Sequence, residues 1–264
     1  MASKAQAPAV RNAIRIVELL CDSEDALGVT EIAQRAGVNK NMAFRVLHTL
    51  RDLGWVVQDE SSAKYRMSLR AFHYVSKPVA RMDLKAASVE PVRDLWRRTG
   101  ESTYLGVLDG DAVLYLEHLD ATGPVHIAGT VGGRYALHCS APGKMLLAHA
   151  GDELFKRLAE RGFARQSRGT ITDAKKLKRE LAAVREQGYA LDIEEYADGL
   201  MCFAAPVCDY TGEVVGVVGI SVLTLYYSRK RMETECGPVV LEAARRISEA
   251  LGCPGLADTG AKGE

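Results

Sequence analysis

The feature of this sequence that most constrains its fold is a pair of short helical patterns separated by a glycine turn, in residues 29–55. Small or apolar residues recur at helical spacing, the dipeptide Gly37-Val38 interrupts them, and a second helical stripe follows. The stripe positions are Ile32, Ala33 and Ala36 in the first helix and Ala43, Val46, Leu47 and Leu50 in the second. This spacing predicts a helix-turn-helix.

The second predicted helix carries polar and aromatic side chains on the faces that its apolar stripe leaves free. They are Asn39, Lys40, Asn41, Phe44, Arg45 and His48. Amide and cationic side chains of a recognition helix hydrogen-bond to base edges and phosphates in the major groove. These six residues are therefore candidates for contacts with double-stranded DNA.

The flanking residues supply helix boundaries and a hairpin. Thr30, which is also a candidate for DNA contact, is expected to cap the first helix through its hydroxyl, and Gly54 is expected to end the second in the left-handed conformation. Residues 55–58 and 64–67 have strand character on either side of a polar turn. Lys64 and Arg66 lie two positions apart, so they share one strand face, from which they can contact the DNA backbone. The hairpin is predicted to form a wing.

Charge is divided between two parts of a chain that is neutral overall. Residues 1–82 hold 12 Lys+Arg against 8 Asp+Glu, whereas residues 83–264 hold 22 against 26. The positive charge of the first part favours phosphate binding. The alternative is that the two helices and the hairpin form only a small core and never bind nucleic acid.

Composition is that of an ordinary globular protein. The 264 residues are 47% hydrophobic and 26% charged, which is enough for two domains with their own cores. Neither an apolar run of membrane-spanning length nor a signal-peptide pattern is present, so we expect a cytoplasmic protein with no membrane contact. Six scattered cysteines without a Cys-x-x-Cys pair indicate reduced thiols rather than disulfides or a zinc site.

The chain beyond the wing begins with a helical connector. Apolar residues recur at near-helical intervals through residues 69–98, with a break expected near Pro78 and a change of direction near Ser88, where Pro91 would lie in the first turn of a second helix. The predicted domains are a winged helix-turn-helix at 1–76, a helical linker at 77–98, an effector domain at 99–252 and a flexible tail at 253–264. The connector suits transmission between domains, and a passive spacer fits its residues equally well.

The later residues alternate between strand and helix patterns. Residues 103–108 and 112–119 flank an Asp-Gly turn, which strongly indicates a hairpin. Further strands are predicted at 124–129, 189–193, 201–208 and 213–223, and helices at 142–149, 152–160, 173–187 and 228–251. This order favours an α+β domain with an antiparallel sheet.

Three further segments carry a resemblance to a known family. They are LHCSAPGKMLLA at 137–148, GYALDIEEY at 188–196 and GLMCFAAPV at 199–207. With the winged helix before them, the chain resembles the IclR (isocitrate lyase regulator) family of bacterial transcription factors over about residues 9–252. The resemblance implies a GAF-like C-terminal domain that binds a small effector, control of genes that are often catabolic, and a homodimer or a tetramer of two dimers. It leaves open whether the protein represses or activates.

The resemblance also implies an effector pocket. The positions that match the family's pattern are Ala141, Gly143, Asp192, Leu200, Cys202 and Ser221, and Ile127 and Tyr135 are expected to line the same pocket. Ser140 is a candidate N-cap of the helix that follows it, and free N–H groups at such a helix start attract an anion, which favours a carboxylate effector. Lys144 either pairs with a carboxylate or points to solvent. The chain departs from family patterns at Gly219 and at Asn41-Met42.

Other classes of function have weaker support in the sequence. There is no phosphate-binding glycine loop, nucleophile elbow or metal-ligand spacing, so an enzyme or a bound cofactor is not expected. A metal in the pocket, held by residues among His126, His138, Cys139 and Cys202, stays open as an alternative. So do a GAF-like metabolite- or metal-binding protein without operator-specific regulation and an architectural module that binds DNA without sequence preference.

Overall fold

The computed structural model describes residues 7–71, 73, 83–123, 127 and 129–254. The chain divides into two compact units, Met1–Arg81 and Met82–Glu264. Within the described residues, no helix has both the length and the apolar character needed to cross a membrane. The finer division predicted from the sequence, with a separate linker at 77–98 and a tail from 253, stays a prediction.

The N-terminal unit consists of three helices and a hairpin. These are α1 (Pro8–Cys21), α2 (Val29–Arg35), α3 (Lys40–Asp52), β1 (Val56–Gln58) and β2 (Tyr65–Met67). Helix α3 packs against both α1 and α2. The predicted apolar stripes supply much of the core, which contains Ile16, Leu20, Leu27, Ile32, Ala33, Ala43, Val46, Leu47, Val56 and Tyr65. The predicted helix-turn-helix and its hairpin are confirmed.

The turn glycines lie where predicted, whereas the cap expected at Thr30 is wrong. Gly37 and Gly54 have φ angles of 67° and 76°, in the left-handed region that glycine adopts without strain. Helix α2 has Gly28 as its N-cap residue, so Thr30 already lies within the first turn. The physical reason is that Leu27 exchanges two backbone hydrogen bonds with Tyr65 of the wing, at 2.9 and 2.8 Å, and the helix begins directly after this pinned segment.

The turn of the wing is organised by Asp59. Its Oδ1 accepts hydrogen bonds from the hydroxyls of Ser61 and Ser62, at 2.6 and 2.8 Å, and from their backbone N–H groups, at 3.1 and 2.8 Å. The Ser61 hydroxyl, followed by the two bonds from Ser62, lowers the pKa of Asp59 to about 2. This carboxylate is therefore ionised and already satisfied within the turn.

The C-terminal unit is built on a six-stranded antiparallel sheet with the order β5-β4-β3-β8-β7-β6. Its strands are β3 (Ser102–Asp109), β4 (Ala112–Leu119), β5 (Arg134–Ala136), β6 (Ala190–Ile193), β7 (Leu200–Cys208) and β8 (Val214–Leu223). The hairpin predicted around Asp109-Gly110 is β3-β4. The sequence gives no strand pattern for β5, which is only three residues long, and the strand predicted at 124–129 falls largely outside the described residues.

Helices cover both faces of this sheet. They are α4 (Leu84–Thr99), α5 (Ala141–His149), α6 (Asp152–Arg161), α7 (Ala174–Gln187), α8 (Arg229–Arg231) and α9 (Gly237–Ala250). On one face, α4 and α9 pack together over a core that includes Phe203 and Ile220. On the other face, α5 and α7 pack over a second core that includes Tyr104 and Ala204. The α+β class with an antiparallel sheet is confirmed.

The change of direction predicted near Ser88 does not occur. Helix α4 runs without interruption from Leu84 to Thr99, with Pro91 in its interior. A proline there has no N–H group to donate to the preceding turn, which costs helix stability. Ser88, Pro91, Val92 and Leu95 are all buried, and α4 packs along α9, so tertiary burial outweighs the lost hydrogen bond. The break expected near Pro78 lies outside the described residues.

The single long helix predicted at 228–251 is instead interrupted by a π-helical turn. This turn, Met232–Cys236, joins α8 to α9. Pro238 follows it directly, and its ring has no N–H group and would clash with the carbonyl one turn earlier in a regular helix, which gives a physical reason for the wider turn. Gly237 also allows a close approach, since a Cβ there would lie 3.0 Å from the Phe203 ring.

Candidate functional site

Helix α3 presents one exposed arc of polar and aromatic side chains. Lys40, Asn41, Phe44, Arg45 and His48 are all exposed, and at 3.6 residues per turn they span about 140° of the helix circumference. Phe44 is 52% exposed although its ring is large and apolar. This arc lies opposite the buried stripe of α3, as the sequence predicts, and its size suits a face that enters a groove of DNA.

Cations on α3 and on the wing have no partner within the described part of the chain. Lys40, Arg45, Lys64 and Arg66 are exposed, and none of their side chains has an ion pair or hydrogen bond to another described residue. Tyr65, between the two wing cations, is buried, so Lys64 and Arg66 share the outward face as predicted. Unpaired surface cations at these places are available to phosphates.

Two of the predicted contact residues are already held by neighbours. Asn39 caps α3, since its Oδ1 accepts a hydrogen bond from the N–H of Met42 at 2.8 Å. His48 lies between Asp52, whose Oδ2 is 3.0 Å from Nδ1, and Arg51, whose guanidinium is 2.7 Å from Nε2. The geometry therefore gives Asn39 and His48 structural partners that Lys40 and Arg45 do not have.

Strand register in the second unit places four polar side chains in one row. Asp192 on β6 pairs with Cys202 on β7, Cys202 pairs with Ser221 on β8, and Ser221 pairs with Ser102 on β3. Residues directly opposite each other on neighbouring strands point to the same face of the sheet. The thiol of Cys202 lies 3.2 Å from the hydroxyl of Ser221. Three of the predicted effector residues are thus brought together by pairing alone.

This row forms one side of a cavity of about 130 Å³. Six predicted residues line it, namely Ile127, Tyr135, Asp192, Leu200, Cys202 and Ser221, together with Tyr115, His118, Gly129, Ser140, Pro142 and Tyr196. No Lys or Arg is among these described lining residues. A cavity of comparable volume, about 150 Å³, holds a benzene molecule, so this effector pocket has room for a small metabolite.

Ala141 and Gly143 are not among the lining residues, and their assignment to the pocket stays a prediction. Ser140 does cap α5, because its Oγ accepts a hydrogen bond from the N–H of Gly143 at 3.1 Å. A Cβ at position 143 would lie 2.4 Å from the carbonyl oxygen of Ala136. Glycine here allows the first turn of α5 to pack closely on the preceding backbone.

Asp192 is the only buried carboxylate in the described lining, and one of its oxygens has no partner among the described residues. Oδ1 accepts hydrogen bonds from the backbone N–H groups of Glu195, at 2.8 Å, and Tyr196, at 3.2 Å. Oδ2 is buried and has no hydrogen bond to any described residue. Burial raises the pKa of Asp192 to about 7, against the two N–H bonds and Lys144, which lower it. A ligand that donates a hydrogen bond would satisfy Oδ2.

Lys144 is fully buried behind the pocket and pairs with two carboxylates. Its Nζ lies 2.8 Å from Glu180 on α7 and 2.5 Å from Glu195. Burial alone would lower the pKa of Lys144, but Glu195 and Glu180 outweigh it and raise that pKa. Of the two alternatives stated for Lys144, pairing with a carboxylate is the one observed. It fixes α5, α7 and the segment after Asp192 to one another.

Tyrosines form much of the rest of the pocket, and the sequence analysis identified only Tyr135 among them. Tyr115 stacks on Tyr104 with ring centroids 4.9 Å apart and contacts Tyr135 at 4.1 Å, and Tyr135 lies 6.0 Å from Tyr196. The hairpin turn was the available signal, because pairing counted outward from Asp109-Gly110 places Tyr104 and Tyr115 diagonally across two strands. The pocket is therefore aromatic as well as acidic.

Gly219 departs from the family pattern because Tyr104 occupies the space beside it. A Cβ at position 219 would lie 2.4 Å from the Tyr104 hydroxyl oxygen and 2.2 Å from the carbonyl oxygen of Phe203. The Tyr104 hydroxyl itself donates a hydrogen bond to that carbonyl at 3.2 Å. A hydroxyl-bearing side chain at 219 does not fit this arrangement.

Gly219→Ala is expected to lower the free energy of unfolding by about 2 kcal/mol through overpacking. Urea unfolding of the wild type and the variant measures the difference. The double variant Tyr104→Phe/Gly219→Ala should recover part of the loss, since one of the two clashing oxygens is gone. A single Gly219→Ala variant as stable as the wild type would contradict this account of the glycine.

The described residues contain no cluster of three or more His, Cys, Asp and Glu side chains that could hold a metal ion. His138, one of the candidates, has its Nε2 2.8 Å from the carbonyl oxygen of Ala164. His126 lies outside the described residues. The alternative of a metal in the pocket therefore gains no support from the described part of the chain.

Together, a winged helix with unpaired cations and a second unit with an internal pocket define a ligand-responsive DNA-binding protein. Family comparison agrees. Residues 9–60 match the IclR helix-turn-helix domain, and residues 76–249 match the C-terminal domain of the bacterial transcriptional regulator IclR. The chain belongs to the IclR family of bacterial transcriptional regulators.

Individual relatives support the same conclusion. The HTH-type transcriptional regulator KdgR of Escherichia coli is 35% identical over 230 residues, which cover 87% of each chain. A crystal structure of an IclR-type regulator from a Silicibacter species has a TM-score of 0.80, with 22% identity and coverage of 96% and 100% of the two chains. An IclR homologue from Microbacterium hydrocarbonoxydans, solved with 4-hydroxybenzoate, is 25% identical with a TM-score of 0.59, and 92% and 98% of the two chains are covered.

Membership decides between the classes of function left open by the sequence. This chain is a transcriptional regulator with a DNA-binding helix-turn-helix domain and an effector-binding C-terminal domain, and it is not an enzyme. The alternative of a metabolite- or metal-binding protein without operator-specific regulation is not favoured.

Proposed function

We propose that this regulator senses a small organic acid in the pocket around Asp192 and controls catabolic genes from a palindromic operator. The observation that carries the proposal is an enclosed cavity of about 130 Å³ with a buried carboxylate oxygen, Asp192 Oδ2, that has no partner among the described residues. Buried polar atoms in native proteins are nearly always paired, so an unpaired one aimed into a cavity indicates a ligand.

The chemistry of the lining narrows the effector. Besides Asp192, the pocket offers the side-chain hydroxyls of Tyr115, Tyr135, Tyr196 and Ser221, and no cation among its described residues. Hydroxyl groups donate hydrogen bonds to a carboxylate, and Asp192 accepts one from a hydroxyl of the ligand. We therefore favour an organic acid that also carries a hydroxyl group. The relative solved with 4-hydroxybenzoate binds a compound of this class.

DNA recognition is assigned to α3 and the wing. Lys40, Asn41, Phe44 and Arg45 would contact bases and phosphates in the major groove, with Thr30, Asn39 and His48 at its margins, while Lys64 and Arg66 contact the backbone. One protomer supplies few phosphate contacts, so a homodimer or a tetramer of two dimers would read the operator. Effector binding would change the relative affinity of two arrangements of the reading heads.

The proposed function is tested by selecting DNA from a random duplex pool with the purified protein. The account predicts an enriched palindrome bound with at least a thousandfold preference over random duplex, the lower end for specific DNA-binding proteins. Addition of the acid found in a thermal-shift screen should then change the operator affinity. Binding without sequence preference would favour the architectural alternative instead.

A pH dependence of stability follows from Asp192. Because burial raises its pKa to about 7, the folded chain retains a proton that the unfolded chain releases near pH 4. The folded state is therefore destabilised as pH rises from about 4 to about 7. Asp192→Asn keeps the Oδ1 acceptor and removes the charge, so its melting temperature should rise relative to wild type by a few degrees between pH 5 and pH 8. A difference that stays constant with pH would contradict the assignment.

A further inference from the structure

Two cysteines that the proposed function does not use lie together at one end of the second unit. Cys208 is the last residue of β7, and Cys253 follows the end of α9. Both backbone N–H groups donate to the same buried serine: Cys208 to the Oγ of Ser248 at 3.0 Å, and Cys253 to its carbonyl oxygen at 2.9 Å. One residue therefore fixes the positions of both cysteines.

A second contact holds the chain after α9 against the same end of the sheet. The Cγ of Pro254 lies 3.9 Å from the place that a Cβ at Gly212 would occupy, in the turn between β7 and β8. The segment that contains Cys253 thus crosses the end of the β7-β8 hairpin beside Cys208. Disulfides need Cα atoms about 4.4–6.8 Å apart, a separation consistent with two residues whose amides share one serine.

Accessibility distinguishes this pair from the other cysteines. Cys139, Cys202 and Cys236 are buried, and the exposed Cys21 belongs to the N-terminal unit. Cys208 and Cys253 are both half-buried, so reagents can reach them. The two thiols also influence each other, since burial and then the neighbouring thiol of Cys253 raise the pKa of Cys208 to about 11.

We propose that Cys208 and Cys253 are an oxidation site that forms an intrachain disulfide in the presence of hydrogen peroxide. One thiolate attacks the peroxide and becomes a sulfenic acid, with release of one water after proton transfer. The other thiol displaces the sulfenic oxygen, the S–S bond forms, and a second water leaves. Two thiols and one peroxide thus give one disulfide and two waters, with two electrons passing to the peroxide.

The disulfide would fasten the end of α9 to the end of β7. It closes a loop of about 45 residues, which constrains the unfolded chain and raises stability. The melting temperature should rise by about 5 °C and return to its original value on reduction with dithiothreitol. The raised pKa of Cys208 keeps its thiol protonated near pH 7, so oxidation should accelerate as pH increases from 7 to 9.

Mass spectrometry of the oxidised full-length protein tests the proposal. Chymotrypsin cleaves after Phe203 and so separates Cys202 from Cys208. We expect a 208–253 linked peptide in the wild type and in the matched control Cys236→Ser, and none in Cys208→Ser or Cys253→Ser. The rise in melting temperature should follow the same pattern. Absence of this peptide when the same treatment oxidises other cysteines, or a rise in melting temperature in Cys253→Ser, would overturn the proposal.

Discussion

Lys144→Met is expected to lower the free energy of unfolding of the C-terminal unit by about 3–5 kcal/mol, the usual cost of breaking a buried ion pair. Methionine preserves the length of the side chain but leaves the carboxylate of Glu195 buried without its cation. The effect should be smaller at pH 5 than at pH 8, because protonation of Glu195 removes the unpaired charge. Urea unfolding monitored at the two pH values measures both quantities.

Two further variants separate this explanation from a general packing defect. Lys144→Met/Glu195→Gln should recover much of the lost stability, since neither buried charge remains. Lys156→Met breaks the exposed pair with Glu153 on α6 and should cost less than about 1 kcal/mol. A Lys144→Met protein as stable as the Lys156→Met control would show that the buried network does not stabilise the fold.

Arg45→Ala is expected to weaken operator binding by at least about thirtyfold, equivalent to about 2 kcal/mol. Arg45 is exposed on α3 and has no ion pair within the described part of the chain, so it is free to contact a base or a phosphate. Each arginine–base contact contributes about 1–3 kcal/mol, and a dimer makes each contact twice. Titration of the selected operator in a fluorescence anisotropy assay measures the loss.

The control for Arg45→Ala is a charge-matched change away from the proposed interface. Lys156→Ala removes one positive charge from α6 in the C-terminal unit and should leave operator affinity within about twofold. The melting temperature of Arg45→Ala should match that of the wild type, because the residue is exposed. If Arg45→Ala binds the operator as tightly as Lys156→Ala does, Arg45 does not belong to the DNA-binding surface.

Local chemistry made the N-terminal unit predictable. The apolar stripes on either side of Gly37 identify two helices, and the positive φ angles of Gly37 and Gly54 follow from the freedom that glycine alone has. The start of α2 was missed because it depends on a distant contact, the backbone pairing of Leu27 with Tyr65. Local sequence patterns cannot report such a contact.

Proline was the main source of error in the C-terminal unit. Pro91 was expected to begin a helix, and it lies inside one because α4 is buried along α9. Pro238 was passed over within a predicted continuous helix, whereas a π-helical turn precedes it. In both cases the outcome depends on the balance between helix geometry and tertiary packing, which the local pattern does not contain.

The pocket was only partly predictable. The resemblance supplied Asp192, Cys202 and Ser221, and strand register explains why they meet. The contributions of Tyr104 and Tyr115 depend on how β3 and β4 pair, and the burial of Lys144 depends on the approach of α7. These features arise from the assembled sheet and its helices rather than from any single segment.

The most direct test of the central claim is a thermal-shift screen of small hydroxylated organic acids against the wild type, Asp192→Asn and Ser221→Ala. A ligand that binds only the folded state raises the melting temperature with concentration. The account predicts at least one acid that stabilises the wild type by several degrees and has little effect on either variant. A rise of equal size in all three proteins would place the effector elsewhere, and no rise across the acids would contradict a carboxylate effector.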